Sequence, residues 1–143
     1  MNLENKYKEN DILRISNFAF KNNKHIERVI LPNNIDNVGQ EAFYLCTNLK
    51  EVILPETVKY LSRSCFNYCK QLKQINLPKG LMHIDVRCFR DCESLKELYI
   101  PSTVGFIGNE AFYNCKKLTI HCNKGSYAEE YCIKNNIRYK LTD

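Results

Sequence analysis

The apolar positions of this chain fall into columns 23 residues apart. The stretch EAFYLCTNLKEVILP, residues 41–55, is written five times in one register. Phe43 recurs as Phe20, Phe66, Phe89 and Phe112, and Leu49 recurs as Ile26, Leu72, Leu95 and Leu118. Val38 recurs as Ile15, Leu61, Ile84 and Ile107, and Pro55 recurs as Pro32, Pro78 and Pro101. No insertion breaks the register from Ile12 to Leu118. A fixed period of ~20–29 residues with aliphatic residues in step marks a solenoid. No coil of such an array can bury its apolar face alone, so stability is shared between neighbours.

Within a coil the pattern predicts two short extended segments and a turn-rich arc. In NLKEVILP, Leu49, Val52 and Leu54 face the apolar side, with Glu51 and Ile53 between them. That alternation with β-branched residues predicts a strand. Pro55 ends it, because proline has no N–H to give a sheet ladder. Val58 and Leu61 supply the second segment. RSCFNYC then carries Phe66 and Cys69 over the convex side as a tight helical turn or irregular bend. Equivalent strands should pair in parallel, ~4.8 Å apart.

The two ends depart from the pattern. Residues 1–11 read as a degenerate half-coil or flexible cap: Leu3 keeps the Leu49 column, but Lys6 and Lys8 sit where aliphatics belong. Leu3 and Tyr7 either fold over the first coil or leave that end open to a partner or to self-association. Residues 12–122 hold the five coils, and residues 123–143 form a C-terminal cap. After Leu118 the register loses one residue. Gly125 makes a turn, Ser126 and Glu129 form a capping box, and Ala128, Tyr131 and Cys132 give a helical stripe. This predicts a helix over Ser126–Asn135, stopped by Asn135–Asn136. Ile137, Tyr139 and Leu141 then alternate as a last strand.

The second coil carries Ile35, Val38, Gly39, Ala42, Phe43, Cys46, Leu49, Val52, Leu54 and Pro55. The fifth opens likewise with Val104, Ile107, Gly108, Ala111, Phe112 and Cys115. This unit resembles the BspA-like, or Treponema pallidum type, leucine-rich repeat, and GSYAEEYCIKNNIRYK resembles the cap that follows such arrays. The likeness spans roughly residues 12–140. Ser16, Ser62 and Asp85 replace its glycine, and Cys65 and Cys88 replace its alanine. It implies an α/β-type solenoid: a right-handed coil with short parallel strands, a 23-residue period and a C-terminal capping helix. It also implies protein recognition, often in surface-exposed adhesive modules of microbes, and offers no catalytic motif.

Charge and composition remove several other functions. Across 143 residues, 21 Lys and Arg face 16 Asp and Glu, a net charge of +5 without long blocks of one sign. No basic stripe with interleaved aromatics points to nucleic acid. The first eleven residues lack the apolar core of a signal peptide. No apolar run approaches the ~18 residues of a membrane span. As written the chain reads as cytoplasmic. It reads as cell-surface or secreted if it belongs to a longer, family-like protein whose signal lies outside these residues.

Eight cysteines raise the question of zinc or disulfides. Cys46, Cys69, Cys92 and Cys115 share one column with Asn23, and Cys65 and Cys88 share another with Ala19, Ala42 and Ala111. They follow the repeat, so they read as small inward-facing side chains. Only Cys122 and Cys132 have no place in it. The four-residue spacings of Cys65–Cys69 and Cys88–Cys92 would suit zinc, but both members belong to inward columns. His25, His83 and His121 lie at outward positions, away from those thiols, so no Cys–His nucleophile is predicted. No cofactor and no enzymatic activity are expected.

Binding is the remaining reading. The outward strand residues form the columns Glu27/Lys50/Lys73/Lys96, Arg28/Glu51/Gln74/Glu97 and Ile30/Ile53/Asn76/Tyr99. The first two read as solvated charge. Ile30, Ile53, Asn76 and Tyr99 lie at the centre of a charged face, as hot spots lie within a polar rim. Arg28, Glu51, Gln74 and Glu97 would set its polarity. The expected function is therefore a protein-binding module acting through its strand face, with an unidentified protein as partner. The rival is a structural spacer, or an adhesive or self-assembling segment of a larger surface protein. Tyr60/His83/Phe106 and Tyr44/Tyr113 are alternative surfaces.

Overall fold

A computed structural model of the protein describes residues 13–142; Leu3, Lys6, Tyr7 and the other residues read as an N-terminal half-coil lie outside them. The chain winds as a parallel-strand solenoid. Its strands are β1 (Leu13–Ile15), β2 (Arg28–Ile30), β3 (Ile35–Val38), β4 (Glu51–Ile53), β5 (Tyr60–Leu61), β6 (Gln74–Ile75), β7 (His83–Ile84), β8 (Glu97–Tyr99), β9 (Phe106–Ile107) and β10 (Thr119–Asn123). Helix α1 (Tyr127–Lys134) and strand β11 (Tyr139–Thr142) complete it.

The predicted strand of each coil and the second extended segment both pair in parallel with their counterparts. The second segments form one continuous sheet, β1-β3-β5-β7-β9. The first segments form two sheets, β2-β4-β6 and β8-β10-β11. Pairing keeps the sequence register, with Ile30 beside Ile53 and His83 beside Phe106. At β10 it drops by one residue, so that His121 lies beside Tyr99. Each strand turns its aliphatic residues inward. Val29, Val52, Leu98 and Ile120 are buried from the two first-segment sheets, and Val38, Leu61, Ile84 and Ile107 from the second-segment sheet.

The phenylalanines form the stack that the columns predicted. Phe20, Phe43, Phe66, Phe89 and Phe112 lie at successive centroid distances of 5.2, 5.4, 5.5 and 5.5 Å with near-parallel rings. Tyr131 of α1 closes the stack edge-on at 6.3 Å and donates its hydroxyl to the Gly108 carbonyl. Beside the stack, the thiols of Cys46, Cys69, Cys92 and Cys115 donate to the carbonyls of Phe20, Phe43, Phe66 and Phe89 one coil back. The cysteine column therefore links coils. All eight cysteines are free thiols, and Cys65 and Cys88 meet sulfur to sulfur at 3.3 Å.

The arc under the phenylalanines is not helical. Each coil places two residues at positive φ, four apart: Glu41 and Leu45, Ser64 and Tyr68, Arg87 and Asp91, Glu110 and Asn114. None is glycine, although an L side chain in that region costs ~1–2 kcal/mol. The surrounding bonds hold them there. Alternate N–H groups close short turns within the coil, as Ala42 to Gly39 and Tyr44 to Glu41. The others reach the next coil, as Glu41 to Arg63, Phe43 to Cys65 and Leu45 to Asn67. Glycine enters the motif for another reason: a β-carbon on Gly39 would collide with the Ile15 carbonyl.

The C-terminal cap follows its predicted chemistry. Ser126 accepts the Glu129 N–H at 3.2 Å, and Glu129 returns a bond to the Gly125 N–H at 2.6 Å. Asn136 takes positive φ, and the Ile137 N–H bonds the Cys132 carbonyl at 2.9 Å. That is the 6→1 bond of a Schellman stop. Cys122 and Cys132, which had no place in the repeat, are buried with Ala128 between the last coil and α1.

Candidate functional site

The first-segment strands present their side chains alternately inward and outward. Ile30 and Ile53 are half-buried between outward charges, Asn76 is exposed, and Tyr99 is 62% exposed. Ion pairs run along the strand face from coil to coil. Arg28 Nε meets Glu51 Oε2 at 2.7 Å, and Lys50 Nζ meets Glu27 Oε1 at 3.5 Å. His121 pairs with Glu97, and its ring stacks on Tyr99 at 4.3 Å.

Among the described residues this face is interrupted once. β6 bonds β4 but not β8, whereas the neighbouring ladder through β7 runs on unbroken. The ladder also departs from its pattern at Asn76. In the preceding junction the Leu31 N–H bonds the backbone carbonyl of Ile53 at 3.1 Å. One coil later the Leu54 N–H instead takes the side-chain Oδ1 of Asn76 at 3.0 Å, and Asn76 Nδ2 returns a bond to the Leu54 carbonyl at 3.0 Å. The side-chain amide replaces a peptide group in the ladder. Strand β6 ends at Ile75, with Asn76 at the edge of the break.

The break opens a cleft of about 600 Å³. Val52 and Ile75 lie in its floor, and Ile75 is 9% exposed where Val52 and Leu98 are each 1% exposed. Of the eight residues expected to bind a partner, Glu51, Ile53, Gln74, Asn76, Glu97 and Tyr99 line this cleft. Arg28 and Ile30 lie one coil away, joined to it through Glu51 and Ile53. Asn76 has its amide committed to Leu54, so it shapes the cleft.

Three residues of the site fell outside the sequence reading. Lys73 and Lys96 line the cleft, and among the described residues neither has an ion-pair partner. Their column reads as solvated charge until the break places them on either side of an opening. His121 joins the face because one residue is lost after Leu118, which brings His121 rather than Cys122 beside Tyr99. That deletion was the available signal.

The alternative surfaces are also formed. His83 stacks on Phe106 at 4.5 Å and lies 6.4 Å from Tyr60, along an unbroken sheet. Tyr44 packs edge-on against Tyr68 with Lys21 over its ring, and Tyr113 lies under Arg90. The thiols offer little nucleophilic character: burial pushes Cys69, Cys88 and Cys92 well up, and Cys115 and Cys132 up to about 12. Among the described residues no three His, Cys, Asp or Glu side chains are grouped to hold a metal ion. Nor is any described helix long and apolar enough to cross a membrane.

Solved structures share this architecture. The Treponema pallidum leucine-rich repeat protein TpLRR superimposes with a TM-score of 0.78 at 28% identity, over 84% of this chain and 56% of its own. A leucine-rich cell surface protein from Faecalibacterium prausnitzii gives 0.67 at 28% identity, over 76% of this chain and 32% of its own. A leucine-rich repeat protein from Bacteroides ovatus gives 0.62 at 21% identity over 91% of this chain and 45% of its own, a likeness of fold. The chain thus spans about half the length of TpLRR or less of the others. Among curated proteins none matches it. The model of the BspA-type leucine-rich repeat region matches residues 1–119 as six copies, beginning ahead of the first coil read from the sequence. By that match and by its coils, the chain belongs to the BspA-type leucine-rich repeat family.

Proposed function

We propose that the protein is a non-enzymatic protein-binding module that holds its partner on the strand face, centred on the cleft between β6 and β8. One observation carries this reading. Six of the eight outward residues singled out on that face converge on the one place where its ladder is open. Ile53 and the Tyr99 ring supply apolar contact area, and the floor of Val52 and Ile75 extends it. Arg28, Glu51, Gln74 and Glu97, with Lys73 and Lys96, form a polar, mostly charged rim. A desolvated apolar centre inside a polar rim is the arrangement in which a few residues carry most of the binding free energy. The partner is read as a protein rather than a nucleic acid, because no basic stripe with interleaved aromatics marks the chain.

Ile53→Asp tests the reading. The side chain is half-buried at an outward position, so the fold should survive while a carboxylate faces the partner's apolar surface. Loss of binding with an unchanged circular dichroism spectrum supports the site, and unchanged affinity eliminates this face.

A second reading rests on the match to a cell surface protein of which this chain spans 32%. In it the array is a spacer or an adhesive, self-assembling segment of a longer surface protein. Sedimentation across a hundredfold range of concentration separates the two. Rising mass favours assembly, and a constant monomer mass favours capture of a separate partner.

A further inference from the structure

The bonds between arcs run in one direction. The Phe18 N–H bonds the Gln40 carbonyl, the Glu41 N–H bonds Arg63, the Ser64 N–H bonds Val86 and the Arg87 N–H bonds Asn109. Each acceptor carbonyl belongs to the same peptide group as the next donor N–H. The result is a continuous chain of head-to-tail peptide dipoles along the solenoid axis. Two more chains run beside it. One passes from Phe20 through Phe43, Phe66 and Phe89 to the Ala111 carbonyl, and the other from Asn22 through Leu45, Tyr68 and Asp91 to the Tyr113 carbonyl. The paired positive-φ residues accompany this polarity in each arc. In an ordinary strand, N–H and C=O groups alternate between the two edges, and the dipoles nearly cancel. Here they add, as they do along an α-helix.

The positive ends of the three chains are the N–H groups of Glu110, Phe112 and Asn114. Among the described residues none of the three has an acceptor, although the same N–H groups of every preceding coil are bonded. All three residues line a cavity of about 380 Å³ between the last arc and the C-terminal cap. Lys116 and Arg138 line the same cavity, with Leu118 and Ile137 giving it an apolar wall. Neither cation has an ion-pair partner among the described residues; Arg138 donates to the Lys116 carbonyl at 2.9 Å. The rim also holds the Glu110 carboxylate, which is itself bound by Arg87 and Arg90 at 2.8 and 3.0 Å. Against two cations, that carboxylate leaves room for a single negative charge.

We infer that this cavity is a binding site for a small organic acid, with the carboxylate on the open N–H row beside Lys116 and Arg138 and the hydrocarbon body on Leu118, Ile137 and Phe112. The site shares no lining residue with the strand-face cleft and stands independently of it. Aligned N–H groups at the positive end of a dipole array attract anions. The cavity volume falls in the range of ~300–1,000 Å³ that small ligands occupy.

Amide NMR tests this on the whole chain. The protein is titrated with sodium acetate and with sodium benzoate, and sodium chloride at equal ionic strength serves as the reference. The amide signals of Glu110, Phe112 and Asn114 should shift saturably, and at lower concentration with benzoate than with acetate. Arg138→Gln, at an exposed position, should weaken benzoate by about threefold or more, as for loss of an exposed charge pair. Absence of a saturable shift at the three amides overturns the inference. So does acetate binding as tightly as benzoate, or unchanged affinity in Arg138→Gln.

Discussion

Replacing Asn76 with alanine tests the part its amide plays in the strand ladder. The Asn76 amide makes two hydrogen bonds to Leu54, both at 3.0 Å, and Leu54 is 2% exposed. Alanine leaves the Leu54 N–H and C=O without these partners in a buried setting. Each orphaned buried group costs about 1–3 kcal/mol, so the variant should lose about 2–6 kcal/mol. Asparagine to aspartate makes a sharper control. An ionised carboxylate still accepts from the Leu54 N–H but sets an oxygen against the Leu54 carbonyl. Asn76→Asp should therefore be at least as destabilised as Asn76→Ala at pH 7. It should recover part of the loss below about pH 4, where protonation restores a donor. Urea unfolding at pH 7 and pH 3.5 measures both variants against wild type. An alanine variant within about 0.5 kcal/mol of wild type, or an aspartate variant without recovery in acid, would refute the view that this amide substitutes for a peptide group.

Three further outcomes follow from the core, the thiols and the cap. Phe66→Ala removes a fully buried ring between two others and should cost about 3–5 kcal/mol; urea unfolding would contradict the ladder if the cost were below about 1.5 kcal/mol. Cys115 and Cys132, raised by burial to about 12 from 9.0, stay protonated in the fold after the unfolded chain has ionised. Their contribution is intact below about pH 8 and is lost as pH rises from 9 towards 12. By pH 10 the loss should reach about 1–3 kcal/mol for the pair, and the Cys115→Ala, Cys132→Ala variant should show a shallower fall between pH 8 and pH 10. Ser126→Ala should cost about 1 kcal/mol, read as faster amide exchange in residues 127–134, and unchanged exchange there would contradict the cap.

The parts of this structure that were legible in the sequence are those whose side chains repeat. Phe43 and its equivalents, and Val52 and its equivalents, show a period because every coil meets the same packing constraint. Ser126, Glu129 and Asn136 carry local capping chemistry that needs no tertiary context. The arc conformation was hidden for the opposite reason. Its positive-φ positions hold Phe18, Glu41, Ser64, Arg87 and Glu110 in one column, and nothing in those side chains announces a left-handed backbone. The bonds between coils impose it. Asn76 was visible as a polar residue in a column of Ile30, Ile53 and Tyr99, but the column did not reveal that the amide replaces a peptide group. Lys73 and Lys96 remained solvated charge until the cleft between β6 and β8 was in view.

The central claim is that the strand face at the β6–β8 break is the docking surface. It is tested most directly by partner capture from the source organism's lysate and from host-cell extract, using three folded baits. These are the wild type, Ile53→Asp with Tyr99→Ala, and Tyr60→Ser with Phe106→Ser on the unbroken sheet. The account predicts a protein retained by the wild type and by the Tyr60/Phe106 variant and lost by the Ile53/Tyr99 variant. A protein retained by the Ile53/Tyr99 variant and lost by the other would contradict it, and would move the site to the second stripe.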